Sequence, residues 1–274
     1  MRAGKLKTRR YKTRGRGRKW LLFLLLLAAL AGALIYLQGQ GKLTLPIPMA
    51  PAPTLTPDEA RQEERTITLP EQSWYALQLG AFGQLPSAQS LANHYEGRGA
   101  ASFIYSTDTH RVLAAAYPTR ADAQAVINQL QSQHQVDAYL FQITSPQLTV
   151  HITGQRAQLT ALSDGLDALY QSAQHFSDLS QALDQRTLTG EEVRQALRSR
   201  QETLSSLAQR LRILFGPAPH AAVANLIAIL DEAIPALQQA LDAGNDTRLG
   251  GRVKYCHLLC IIRLAEYAQK LEGT

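Results

Sequence analysis

Eighteen consecutive residues without a charge, WLLFLLLLAALAGALIYL at positions 20–37, constrain this chain more than any other feature. As a helix the run is about 27 Å long, close to the thickness of a bilayer's hydrocarbon core. It reads as one transmembrane helix. Residues 1–20 carry ten Lys or Arg and no acid. A basic flank of this kind predicts that the N-terminal end stays in the cytoplasm and that everything from about residue 38 lies outside the membrane. Trp20 and Tyr36 stand where interfacial aromatics belong. A cleavable signal peptide is the competing reading, because Ala29-Leu30-Ala31 fits a small-x-small cleavage site. The apolar run, however, continues past that point through Leu34, Ile35 and Leu37, longer than a typical signal segment.

The formal charge of +6 belongs to the tail alone, since outside residues 1–20 there are 18 bases against 22 acids, a net of −4. The tail reads as a topology determinant and a contact for anionic lipid. Nucleic-acid binding through its ten cations is the alternative. With 45% apolar and 18% charged residues, the bulk of the chain is of ordinary folding composition. Residues 38–70 hold six of the twelve prolines. Proline fixes φ and removes a donor, so the expectation is an extended spacer over residues 38–72.

The next stretch alternates short apolar runs with helical ones. SWYALQLGAF reads as a strand, and a helix follows with Ser87 near its start and Gly97 or Gly99 at its end. AASFIYS and HRVLAAAY form two further strands around the turn Thr107-Asp108-Thr109. Thr119 is a good N-cap for RADAQAVINQLQSQ, whose Ala123, Val126, Ile127 and Leu130 make one stripe, and DAYLFQI closes as a fourth strand. The order βαββαβ is the ferredoxin-like arrangement, with both helices on one face of a four-stranded antiparallel sheet and the other face left open. Alternation predicts Tyr75, Leu77 and Leu79 under the helices and Ala76, Gln78 and Gly80 on the open face. A small residue beside an amide suits the close approach of a flat polar polymer. Such a face equally suits a dimer contact, or no ligand at all.

These residues resemble the SPOR domain, the sporulation and cell-division related repeat. Its pattern of aromatic, hydrophobic-Gln-hydrophobic-Gly-Ala-Phe is met by Tyr75, Leu77, Gln78, Leu79, Gly80, Ala81 and Phe82. Ala88, Arg111-Val112 and Ala123 follow in order. The resemblance covers residues 73–145. It implies binding to peptidoglycan, in particular glycan strands stripped of stem peptides, by a non-catalytic membrane protein of cell division or sporulation. Carried over residue by residue, it implies glycan contacts at Gln78, Gly80, Gln84, Ser87 and Arg111. The third strand departs from the pattern, with Leu113, Ala114, Ala115 and Ala116 where polar residues and a glycine are usual. That loss of polarity leaves open a degenerate SPOR fold used for protein contacts. Between residues 70 and 145 three bases, Arg98, Arg111 and Arg120, face five acids, which argues against nucleic acid as the partner.

Residues 146–274 begin with LTVHITG, a further strand, and continue as four amphipathic stretches. Leu159, Leu162, Leu166 and Leu169 mark the first stripe and Leu204, Leu207, Leu211 and Leu214 the second. Val223, Leu230, Ile234 and Leu237 mark the third, and Val253, Cys256, Cys260 and Leu264 the fourth. The short breaks between them predict an antiparallel bundle of three or four helices, with a kink at Pro235. The fold class expected is therefore α+β: one membrane helix, then a ferredoxin-like SPOR domain, then a helical bundle. Cys256 and Cys260, four apart on one helix, read as buried free thiols and not as a disulfide. Neither they with His257 nor His175 and His220 give the spacing of a metal site, and no nucleophile or carboxylate pair stands out. No cofactor or catalysis is expected. The partners expected are glycan strands, the membrane, and division or sporulation proteins through the bundle.

Overall fold

The computed structural model describes residues 55–272. The basic tail, the membrane helix expected at 20–37 and residues 38–54 of the spacer lie outside the described residues. Strands β2 (Gln72–Phe82), β3 (Phe103–Ser106), β4 (His110–Tyr117) and β5 (Tyr139–Ser145) form an antiparallel sheet in the order β3-β4-β2-β5. Helices α1 (Leu85–Glu96) and α2 (Arg120–His134) pack on one of its faces, which is the expected βαββαβ arrangement. Local chemistry sets the helix starts. Pro86 lies in the first turn of α1, where no N–H is needed, and Thr119 Oγ1 accepts from Asp122 N at 3.1 Å to cap α2.

The sheet is longer than four strands over 73–145 would make it. Strand β1 (Gln62–Leu69) pairs antiparallel with β6 (Leu148–Gln155). Leu69 faces Leu148 in the same register that sets Gln72 against Ser145. β1 with β2, and β5 with β6, are thus two arms of one ribbon, interrupted where Pro70 and Pro146 have no N–H to give a ladder. The spacer expected over 38–72 consequently stops short of β1, whose Ile67 and Leu69 are buried between exposed Thr66 and Thr68. The tip of the ribbon is clamped to the bundle. Arg156 pairs with Asp58 and, at 2.6 Å, with Glu63, and Ala157 N donates to Glu59 O at 3.1 Å.

Four helices follow: α3 (Arg156–Asp184), α4 (Gly190–Phe215), α5 (Ala221–Leu241) and α6 (Asp246–Glu272). Each packs on the next and α6 returns to α3, which closes an up-and-down four-helix ring. Thr189 and Glu192 form a reciprocal capping box at the start of α4. By length and composition α5 is long and apolar enough to cross a membrane. Its Val223, Leu226, Leu230 and Leu237 are instead buried in the bundle, and the helix continues through Pro235. Cys256 and Cys260 are buried free thiols, as expected, and burial pushes the Cys260 thiol up to about 12.

The sheet face expected to stand open is largely covered, because α6 packs across β3, β4 and β5. Tyr255 meets Phe103 with ring centroids 5.1 Å apart, and His257 meets the edge of Trp74 at 4.6 Å. Ala76, expected on the open side, has no exposed surface. Trp74, Phe103, Leu113 and Ile143 share one continuous core with the bundle. The physical reason is apolar area: this sheet face carries large hydrophobic side chains, and a helix that is apolar most of the way round buries them.

Candidate functional site

The positions of the candidate residues depend on two irregularities between β2 and β4. Ala76 faces Ala116 but Gln78 faces Leu113, so Ala114 and Ala115 together oppose Leu77. Gly80 then faces Val112, so β2 has one residue more than its partner at Leu79. Each bulge moves a residue off simple alternation. Ala114 and Ala115 both join the core beneath α2, and Leu79 packs with both the α1 and α2 clusters.

Gly80, expected on the open face with Gln78, is turned toward α1 by the second bulge. A Cβ there would lie 2.9 Å from Phe82 Cε2 and 3.1 Å from Leu91 Cδ2. The glycine lets strand and helix approach. Gln84 is the exposed residue before α1, and Ser87 is exposed in its first turn. Of the five residues expected at the site, Gln78 and Arg111 are brought together: Arg111 Nη1 donates to Gln78 Oε1 at 2.9 Å.

That pair lies on the part of the face that α6 does not cover. The Arg111 guanidinium stands over the ring of Phe141, 5.2 Å from its centroid, and Phe141 is 6.0 Å from Tyr105 across the face. Tyr139 faces Gln78 across the β2–β5 ladder and is 63% exposed. The result is a strip crossing all four strands: Tyr139, Gln78, Arg111 and Tyr105, with Phe141 behind. Burial holds the Tyr105 hydroxyl above its usual range, with Glu266 adding to the shift, so it stays a neutral donor and acceptor. Ring faces can stack on the apolar face of a sugar. A guanidinium and an amide beside them supply planar hydrogen bonding. Among the described residues Arg111 makes no ion pair, which leaves its charge for a ligand.

Residue-level reading of the sequence missed Tyr105, Tyr139 and Phe141. The signal was present, because Tyr139, Phe141 and Ile143 alternate along β5 with the period of a strand face. A cleft of about 1100 Å³ opens on the opposite sheet face, between α2, the loop that follows α1, and the end of α3 at Gln181 and Asp184. It is floored by Leu77, Leu79, Ala114 and Ala115, and it includes none of the five expected residues. Size alone would choose this cleft. The convergence of aromatic rings with an unpaired guanidinium favours the strip as the site for a polar polymer. Among the described residues no three His, Cys, Asp or Glu come together to hold a metal ion.

Residues 72–142 match the family profile of the SPOR domain. That range runs from the first residue of β2 to the middle of β5 and contains every residue of the strip. No curated protein and no solved structure matches the chain.

Proposed function

We propose that this chain, which carries a SPOR domain over residues 72–142, is a non-catalytic membrane protein of cell division that holds peptidoglycan through the uncovered strip of its sheet. At the family level the SPOR domain is a peptidoglycan-binding module. The finer reading is that the ligand is glycan freed of stem peptides, bound on the far side of a single membrane helix at residues 20–37 whose N-terminus faces the cytoplasm. The observation that carries it is the Arg111–Gln78 hydrogen bond laid over Phe141, which sets a cation and an amide beside an aromatic floor. Gln84 and Ser87 extend the polar surface beyond β2, while Gly80 serves by letting β2 lie against α1.

The test is co-sedimentation of the detergent-solubilised full-length protein with amidase-treated and untreated sacculi. The wild type is expected to pellet preferentially with treated material. Arg111→Ala should weaken retention about tenfold, the scale of one charge-assisted hydrogen bond. Equal pelleting of wild type and Arg111→Ala would remove the strip from consideration.

A second reading is favoured by α6, which occupies most of the face that a polymer could use. In it the SPOR fold acts as a docking base for the bundle, and the bundle recruits division or sporulation proteins. Retention on the wall that is unchanged by Arg111→Ala, together with light scattering that reveals an assembly, would favour this alternative.

A further inference from the structure

The cleft of about 1100 Å³ on the helix-bearing face of the sheet takes no part in wall binding, and its lining is unlike that of the strip. Its floor is aliphatic. Leu77 and Leu79 come from β2, Ala114 and Ala115 from β4, and Val126 and Leu130 from α2. Leu79, Val126 and Leu130 are only partly buried, so the packing of helix on sheet leaves apolar surface facing the cleft. The bulge that sends both Ala114 and Ala115 beneath α2 sets two methyl groups there, where longer side chains would close the gap. The third strand's departure from the usual polar pattern thus builds this floor.

Polar groups gather at the edge, and most of them are engaged within the protein. Lys254 Nζ of α6 donates to Asp184 Oδ1 at 2.9 Å and to Gly99 O at 3.3 Å. Asp122 accepts from Thr119 Oγ1 at 2.5 Å and lies in the first turn of α2, where the helix dipole favours a negative charge. Arg98 is different. Its guanidinium stands over the ring of Tyr95, 5.5 Å from the centroid, and among the described residues it makes no ion pair and no side-chain hydrogen bond. The Tyr117 hydroxyl also lacks a hydrogen-bond partner among the described residues. Burial, with Asp184 and Asp122 adding to it, pushes that hydroxyl up to about 12, so it stays a neutral donor. An unpaired cation and an unpaired donor therefore stand beside an aliphatic floor, in a space at the top of the roughly 300–1,000 Å³ usual for small-molecule sites.

We propose that this cleft binds an anionic amphiphile, whose alkyl chain lies on the floor and whose carboxylate or phosphate head pairs with Arg98. A guanidinium suits either head. The six floor residues include no aromatic ring, which favours a flexible chain over a planar ligand. Glycan would lay hydroxyls on that floor, and an extended peptide would lay backbone N–H and C=O groups there, with no polar side chain to meet them. Gln181 and Asp184 of α3 and Lys254 of α6 share the lining with β2, β4 and α2, so an occupant touches both the SPOR fold and the bundle.

The experiment is equilibrium dialysis of the full-length protein, held in phosphatidylcholine nanodiscs with empty discs as the blank, against radiolabelled octanoate and octyl phosphate. Wild type is expected to show saturable uptake above the blank, and the tighter of the two probes identifies the head group. Arg98→Ala should weaken that binding about tenfold, the scale of one charge-assisted hydrogen bond. Ala125→Trp places a ring in the cleft from α2 and should abolish saturable uptake. Arg98 and Ala125 are both exposed, so neither substitution disturbs the core. Arg111→Ala should take up the probe as wild type does, because the strip lies on the opposite face. No saturable uptake of either probe, or uptake that Arg98→Ala or Ala125→Trp leaves unchanged, overturns the proposal while the wall-binding reading stands.

Discussion

At the scale of single residues, His257 makes a prediction that the rest of the chain lets one isolate. It is 1% exposed, its ring lies against the edge of Trp74, and Nε2 has no hydrogen-bond partner among the described residues. Burial pushes its pKa from 6.5 down to about 3, so the folded protein keeps the imidazole neutral where an unfolded chain would protonate it. Between about pH 6.5 and 3 the unfolded state binds more protons, and stability falls as pH drops through that window, by at most about 1.4 kcal/mol per pH unit. Carboxylates held below their usual value of 4.5, such as Glu63 beside Arg156 and Glu192 at its cap, add to the fall only in the lower half of that window, where the unfolded chain takes up their protons. His175 shares the window, lowered first by burial and then by Arg200. His257→Phe should therefore remove most, but not all, of the stability slope between pH 6.5 and 4.5 in urea titrations. A slope as steep as wild type would mean that His257 is already charged in the fold. The same scale shows what sequence can and cannot place. Gln78 and Arg111 were legible because a motif fixes them in register, and they meet across two strands. Gly80 was assigned to the wrong face because a bulge adds one residue to the count, and nothing in the residue types announces it.

At the scale of elements, the decisive contact is α6 on the sheet, and two adjacent glycines test it in opposite directions. A Cβ on Gly251 would lie 2.7 Å from the carbonyl oxygen of Ala100. That oxygen belongs to a loop fixed by Gly99 at φ +86° and held by Lys254 Nζ, which donates to Gly99 O at 3.3 Å. Backbone cannot yield as a side chain would, so Gly251→Ala should lift α6 from the loop and destabilise by about 1–3 kcal/mol. Gly250 has open space where its Cβ would go, so Gly250→Ala should stabilise by up to about 1 kcal/mol through helix propensity alone. Urea midpoints of the two variants measure both, and a destabilisation by Gly250→Ala as large as that by Gly251→Ala would dissolve the argument from close approach. Most elements were legible from caps and periodicity. β1 was not, because Gln62-Glu63-Glu64-Arg65 opens it and prolines surround it, and its pairing partners lie 79 to 93 residues away. The second face of α6 did leave a trace: Leu258, Leu259, Cys260, Ile261 and Ile262 are consecutive and all buried. A run that wide exceeds the single stripe a bundle helix needs.

At the scale of the whole molecule, the SPOR fold and the bundle share one core, which is the condition for unfolding as one cooperative body. One core runs from Trp74, Phe103 and Ile143 through Phe176, Leu204 and Leu230 to Leu264. Glu96 on α1 pairs with Arg252 on α6 at 2.5 Å, and the β1–β6 arm is fixed to the start of α3 by Arg156. A boundary between residues 145 and 146 follows the change from mixed to helical pattern, which is all that periodicity can report. It cuts through apolar surface that only the folded chain brings together. Trp74 lies at the seam, whereas most helical signal comes from α3 to α6, so the two halves have separate optical reporters. With the other tryptophan removed as Trp20→Phe, fluorescence of Trp74 and helical circular dichroism should give the same urea midpoint and the same slope, as two-state unfolding requires. Gly251→Ala should shift both curves together, because the contact it disturbs belongs to both halves. If fluorescence instead changed at a lower urea concentration while the helices persisted, α6 would be detachable from the sheet. The bundle would then be a removable cover over that sheet face, and the core the two share would not be what holds the helices together.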